Sequence, residues 1–313
     1  MVAGARRLFP PCGHDPSAAQ EAADELRHLV RRTPRACGID QTRWTLAAIG
    51  SACDWLSERT SSCVHRMLKR FGIVWKRARA AVRSPDQQYQ AKLAVVEQVR
   101  SQAAAQPGQV VVVYLDEVTI ERQPTLANDY AEQGREQPRA CRSHSADTLT
   151  RVVAALNAQT ARVSFHRAAK ITLATLVQFY QELRAAYPDA ERIYVVQDNW
   201  PVHTHPDVLV ALEPQECQFA WHRPKNWSSE PSPAAVKRWG HLQLPIQIVP
   251  LPTYASWCNP IEKLWRKLRQ DVTHLHLWAD DLAQLRTEID RFLQQFADGS
   301  PSLLRYVGLG LPD

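Results

Sequence analysis

Two nearly unbroken apolar runs each stop on an aspartate: "GQVVVVYLDEVTI" at Asp116 and "ERIYVVQDNWPVH" at Asp198. Runs of this length, rich in β-branched residues, describe buried strands of a sheet covered on both faces. An unpaired carboxylate is costly to bury, so an acid that ends such a strand faces solvent, a partner or a metal. A third apolar run, "LPIQIVPLP", leads into "TYASWCNPIEKLWRKLRQ", which carries Glu262. Between the two Asp runs, "LTRVVAALNAQTARVSFHR" reads as a β-hairpin turning near residues 158–161. "TLATLVQFYQELRAAYP" reads as an amphipathic helix that Pro188 ends. A helix over roughly 87–105 precedes the first run. The order strand, hairpin, helix, strand, strand, helix predicts an α/β fold with a mixed sheet flanked by helices.

The segment around Glu262 has the grammar of a helix start, with Asn259 as N-cap and Pro260 at the first helical position. Ile261, Leu264, Trp265 and Leu268 form an apolar face, and Lys263, Arg266, Lys267 and Arg269 cover the other. An acid in the first turn complements the helix dipole, so Glu262 has a purely structural explanation on its own residues. It also has a chemical one. Two Asp from neighbouring strands and a Glu from a flanking helix can converge at one sheet edge. There they would bind hard divalent cations, Mg²⁺ or Mn²⁺, through oxygen ligands. A pair of such ions is the machinery for in-line attack at a phosphodiester. Glu117 points to the opposite strand face and reads as a neighbour.

With 313 residues, 45% hydrophobic and 22% charged, the chain suits a globular core domain plus an accessory one. No stretch approaches the 18 or more apolar residues of a membrane span, and "MVAGARRLFPPCGHDPS" lacks a signal-peptide core. The 7 cysteines are scattered without a CxxC pair, which points to reduced thiols in a cytoplasm. The net charge of +6 is uneven: residues 1–85 hold 15 Lys and Arg against 7 Asp and Glu. That fits an anion-binding helical region at 1–85 before a near-neutral core at 86–313, with nucleic acid as the natural partner, although a basic solvated face alone has the same balance.

Within the basic quarter, residues 17–32 read as a helix with Ser17 as N-cap. Trp44 to Leu56 fit one helix or two short ones. A polar turn follows, then a helix from Ser61 to Phe71 that Gly72 ends, with Val64, Met67, Leu68 and Phe71 inward. This is the outline of a helix-turn-helix, although any small helical hairpin shares it. Its second helix would offer Ser62, His65, Arg66, Lys69 and Arg70 to DNA, and the basic strand or arm after it adds Lys76 and Arg77.

Together "YLDE", "QDNWPVH" and "PTYASWCNPIEKLW" resemble the signature of DDE transposases of the mariner superfamily, specifically its bacterial insertion-sequence branch. The resemblance runs from about Trp44 to the C-terminal helices. It implies an RNase H-like catalytic domain behind a helix-turn-helix domain, with Asp116, Asp198 and Glu262 as the catalytic triad holding two Mg²⁺ or Mn²⁺ ions. It implies a transposase that cuts at insertion-sequence ends and joins the freed 3′-hydroxyl to target DNA at TA, by cut and paste. The partners would be double-stranded DNA, as terminal inverted repeats and as target, and a second copy of the chain. The setting would be a bacterial cytoplasm, at the nucleoid. Asn199, His203 and Asn259 would support the ligands, the alternative for the first two being a capping Asn and a surface His. Lys263, Arg266 and Lys267 would hold DNA phosphates beside the metals.

Two departures stand out. Asp198 and Glu262 are separated by 63 residues, more than the family's usual gap, and the excess falls in 214–243. That insertion reads either as a surface loop with its own core of Trp221, Trp227 and Trp239, or as a cover whose aromatics and Lys225, Lys237 and Arg238 touch unpaired DNA. The family also pairs two helix-turn-helix units. This chain shows one complete, the first being reduced to the helix at 17–32 or lost. Other classes keep a place: a DNA-binding protein descended from a transposase, and an RNase H-fold nuclease without strand transfer. "DDLAQLRTEIDRFLQQF" reads as a packing or dimer helix.

Overall fold

The computed structural model describes residues 16–76, 83–145, 147–221 and 223–310. The chain divides into two compact units, one within Met1–Ala81 and the other within Val82–Asp313.

The first unit holds helices α1 (Pro16–Arg31), α2 (Leu46–Ala52) and α3 (Ser61–Arg70). Helix α1 begins at Pro16, so Ser17 lies inside the first turn and is not the cap. Thr60 caps α3, its Oγ1 accepting from Cys63 N at 3.3 Å. Gly72, at φ +71, closes it, because a left-handed residue after the last turn is cheapest without a Cβ. Leu26 and Leu29 of α1 share one buried cluster with Ile49, Cys53, Leu56, Val64 and Leu68. The 17–32 helix is therefore an integral wall of this helical unit, not a remnant apart from it.

The second unit opens with α4 (Tyr89–Ala105) and then β1 (Val110–Glu121), β2 (Leu149–Asn157) and β3 (Val163–Ala168). Helix α5 (Leu173–Ala186), β4 (Arg192–Gln197) and the short α6 (Pro206–Leu209) follow. After α7 (Pro233–Trp239) and β5 (Ile246–Pro250) come α8 (Ile261–Leu268), a π-helical turn at Arg269–Thr273, α9 (Leu282–Gln294) and α10 (Pro301–Val307). The five strands run in the order β3-β2-β1-β4-β5. The β1–β2 and β2–β3 pairs are antiparallel, and β1–β4 and β4–β5 are parallel. The mixed sheet expected from the order of elements is thus present.

Strand alternation sorts the β1 side chains. Val111, Val113 and Leu115 join the α5 cluster, and Val112, Tyr114, Val118 and Ile120 join that of α4, α8, α9 and α10. The apolar run does end at Asp116, but the strand does not. It continues to Glu121, paired with β2 down to Leu149. The reason is one-sided pairing: β4 accompanies β1 only from Val110 to Tyr114. Beyond that the pattern changes from continuous to alternating burial.

Among its described residues, the 214–243 insertion forms no hydrophobic cluster of its own. Trp221 and Trp239 pack on the α5 cluster, and Trp227 meets the His205 ring edge-on at 4.6 Å. Asp207 of α6 accepts from Ser232 N at 2.6 Å and from Ser232 Oγ at 2.9 Å, fastening the start of α7. The C-terminal helix α9 buries Leu285, Ile289, Phe292 and Leu293 in the sheet cluster, so those side chains serve packing.

One buried ion pair ties α4 to the loop that precedes α8. Lys92 Nζ lies 2.8 Å from Asp86 Oδ2, with both side chains 8% exposed. The same oxygen accepts from Thr253 N at 2.9 Å, and Oδ1 accepts from Gln88 N at 2.8 Å. Burial resists the charge on Asp86, but Lys92 and the two backbone donors outweigh it and hold the carboxyl down at about 2. Removing one partner would leave a buried charge unmatched. Asp86→Ala is therefore expected to cost about 3–5 kcal/mol in urea unfolding at pH 7. Because the folded-state value is depressed, this contribution is complete above the ordinary carboxylate range and is lost as pH falls towards 2. The gap between wild type and variant should narrow over that interval.

Candidate active site

Asp116 becomes accessible because β4 stops short of it. Parallel pairing ends at Tyr114 with Val196, so β1 runs on with its β4 side open. Asp116 faces the α8 side of the sheet, where Trp265 Nε1 donates to Oδ2 at 2.9 Å. Asp198 directly follows β4, and its Oδ1 accepts from Trp200 N at 2.9 Å. Glu262 stands half-buried in the first turn of α8. All three line one cavity of about 950 Å³, with Asn199, Trp200, Tyr254, Trp257 and Asn259 also in its wall.

Asn259 is not the helix cap that its position predicts. Helix α8 starts at Ile261 after Pro260, without a side-chain cap. Asn259 is 4% exposed, and its Nδ2 donates to Leu115 O at 3.1 Å. The β1–β4 pairing ends at Tyr114, so this amide supplies the Leu115 carbonyl with a donor just past the last paired residue. Asn199 acts in kind, its Nδ2 donating to Leu251 O at 2.6 Å. Both asparagines hold the backbone around the acids in place.

His203 is fully buried, which overturns the surface-histidine alternative. Its Nε2 lies 2.9 Å from Glu117 Oε1, and its Nδ1 lies 3.3 Å from Asp198 Oδ1 as an ion-pair contact off the hydrogen-bonding line. Burial disfavours the charged ring, but the two carboxylates prevail and raise His203 to about 10. The imidazolium therefore bridges the two sheet faces, with Trp200 edge-on at 5.1 Å. Burial works against charge on Asp198 too, yet His203 holds it below the ordinary range. Asp116 goes the other way. Burial, then the charges of Glu262 and Glu117, push it up to about 7 against the Trp265 bond. Glu262 is also raised, by burial, with Arg269 opposing. The site thus crowds three acids and neutralises only one of them internally.

The predicted DNA-facing residues divide into groups. Ser62, His65, Arg66, Lys69 and Arg70 are all exposed on α3, opposite buried Val64 and Leu68, and Lys76 is exposed beyond it. Arg77 lies outside the described residues. On α8, Lys263 Nζ donates to Val307 O at 2.8 Å, closing the end of α10. Lys267 pairs with Asp271 at 2.7 Å and lies over the Tyr306 ring. Arg266 is exposed in a smaller depression beside Glu262, together with Arg269, Gln270 and His274. By sequence alone Arg269 belongs to the polar face of the predicted helix and nothing more. The steps of four from Glu262 to Arg266 and three from Arg266 to Arg269 are the sequence signal that the three share one side.

A family model described as DDE superfamily endonuclease matches residues 111–286, a span that includes Asp116, Asp198 and Glu262. The "Insertion element IS630 uncharacterized 39 kDa protein" of Shigella sonnei is 24% identical over 271 residues, covering 86% of this chain and 69% of that protein. Among solved structures, the Mos1 transposase paired-end complex with left transposon end superposes with a TM-score of 0.57 at 15% identity, over 91% of this chain and 74% of that one. The Mos1 strand transfer complex gives 0.54 at 16%, over 91% and 73%. The Mos1 mariner paired-end complex with Mn gives 0.54 at 14%, over 95% and 76%. The mariner-type resemblance and the RNase H-like fold that it implied are borne out.

The Trp265 bond favours the ionised form of Asp116. Trp265→Phe should therefore move the Asp116 titration further above 7, followed by ¹³C carboxyl NMR of the metal-free protein. An unchanged midpoint would show that this bond does not tune the acid.

Proposed function

The chain belongs to the DDE superfamily endonucleases, and from that premise we propose that it is a transposase acting on the ends of its own insertion sequence. The observation that carries the reading is the meeting of Asp116, Asp198 and Glu262 at one cavity, from β1, the end of β4 and the start of α8. Their chemistry fits a hard divalent cation, since every donor is a carboxylate oxygen and two of the three acids are raised by crowding and burial. Among the described residues no group of three His, Cys, Asp or Glu is drawn together tightly enough to enclose an ion alone. In this reading Asp116, Asp198 and Glu262 would hold two Mg²⁺ or Mn²⁺ ions, which would supply activation of the attacking oxygen and stabilisation of charge on the leaving one.

The protein's own groups have separable tasks. Trp265 fixes the orientation of the Asp116 carboxylate. His203 keeps Asp198 ionised and aimed. Asn259 holds β1 beside Asp116, and Asn199 ties the segment after β4 to Leu251, just beyond β5. In the first unit, the exposed side of α3 reads the terminal repeat, with Lys76 and Arg77 following it onto the backbone. Two copies of the chain would pair two ends, cut them, and join the freed 3′-hydroxyls to a target at TA, moving the element by cut and paste. The Mos1 complexes with a transposon end, with Mn and with Mg support the metal and substrate assignments here by analogy of fold.

The test is cleavage of duplexes carrying the repeats that flank the coding region, with Mg²⁺, with Mn²⁺ and with chelator. Wild type should cut only with metal. Asp198→Ala should lose about a thousandfold or more in cutting while keeping end binding, as expected when several kcal/mol of metal stabilisation is removed. End binding without cutting by wild type would leave a DNA-binding descendant of a transposase. Cutting without joining would leave a nuclease.

A further inference from the structure

Trp257 lines both the acid cavity and the second depression, of about 340 Å³, which Glu262, Arg266, Arg269, Gln270 and His274 also line. The indole is 51% exposed, unusual for so large an apolar group, yet it is held in place. Its Nε1 donates to Tyr89 Oη at 3.3 Å, and that hydroxyl also meets Cys258 Sγ at 3.4 Å. The ring is therefore an anchored, outward-facing platform at the rim of the acids.

The depression next to it is basic and uncommitted. Lys263 and Lys267 are engaged within the chain by Val307 O and Asp271. Arg266 and Arg269 differ: among the described residues neither guanidinium has an ion-pair or hydrogen-bond partner, and both are exposed. Arg269 is carried by the π-helical turn that continues α8, a local widening that often marks functional positions. His274 stands opposite, its Nδ1 fixed by Thr125 Oγ1 at 2.7 Å. A flat aromatic face beside two free guanidinium groups is the pairing that binds an unstacked nucleotide, base on ring and phosphate on arginine.

We propose that Trp257, Arg266 and Arg269 form a subsite for one unpaired nucleotide next to the scissile phosphate, its base stacked on the indole and its phosphate held in the groove. The subsite rests on the transposase reading, because it assumes that the scissile bond lies among the three acids. It would keep the strand splayed at the cut, and it would explain why the loop before α8 is pinned so firmly to α4.

The test uses the full chain and a duplex of its element end with two unpaired nucleotides at the cleavage position, one of them 2-aminopurine, without divalent cation. Wild type should quench the 2-aminopurine fluorescence. Trp257→Ala should restore it and weaken overhang binding about tenfold or more, while fully paired duplex binds as before. Trp257→Phe, which keeps an aromatic face, should retain most of the quenching. Arg266→Ala with Arg269→Ala should lower the slope of log K against log salt by roughly 0.7, for the one phosphate held on a single strand. Equal fluorescence with wild type and Trp257→Ala, or equal loss on paired and unpaired DNA, would overturn the subsite. Cleavage of the same end with Mg²⁺ is scored in parallel. Wild type that cuts while Trp257→Ala quenches normally overturns the subsite alone, whereas quenching without any cutting overturns the transposase reading.

Discussion

The end of the β1–β4 pairing at Tyr114 and Val196 is the constraint on which the rest of the second unit turns. A strand paired on both sides has no room for a functional group at its edge. Here β1 continues to Glu121 with β2 on one side only, and β4 leaves the sheet at Asp198. The gap between them is open to solvent, holds two acids, and exposes a backbone carbonyl at Leu115. Asn259 binds that carbonyl, which also sets where α8 begins, and so Glu262 reaches the same gap. One pairing decision thus positions all three carboxylates.

Bringing like charges together opposes folding, and the protein compensates for it unevenly. Asp198 is neutralised by His203, which is itself balanced by Glu117 from the opposite sheet face. Asp116 receives the dipolar N–H groups of Trp265 and of the Glu117 backbone, and it is driven up to about 7. Glu262 feels Arg269 and Arg266 at a distance. A site fully neutralised by its own side chains would have nothing left to attract a cation. The uncompensated acids are what makes the cavity a candidate for one.

The loop before α8 is stiffened by a separate set of contacts. Asp86 and Lys92 clamp Thr253, and Tyr89 meets both Trp257 and Cys258. These bonds come from the start of α4, far away in sequence, and they convert an irregular segment into a wall. The basic groups of α8 are divided by the same packing. Those facing α10 become caps and ion pairs, and those facing the groove remain available.

Much of this was legible in the sequence. Continuous apolar runs ending at Asp116 and Asp198 mark two buried strands, because only strands covered on both faces tolerate such composition. Helical periodicity gave the buried and exposed sides of α3 and α8, and the spaced motifs around the three acids gave the family. What one chain's pattern could not supply was pairing. That β1 outlasts β4, that Asn259 serves a strand and not its helix, and that His203 is buried between two carboxylates all depend on partners dozens of residues away. The roles of Lys263, Asp86 and the insertion's tryptophans are of the same kind. Local spacing sets which way a side chain points, and tertiary packing alone decides what stands opposite it.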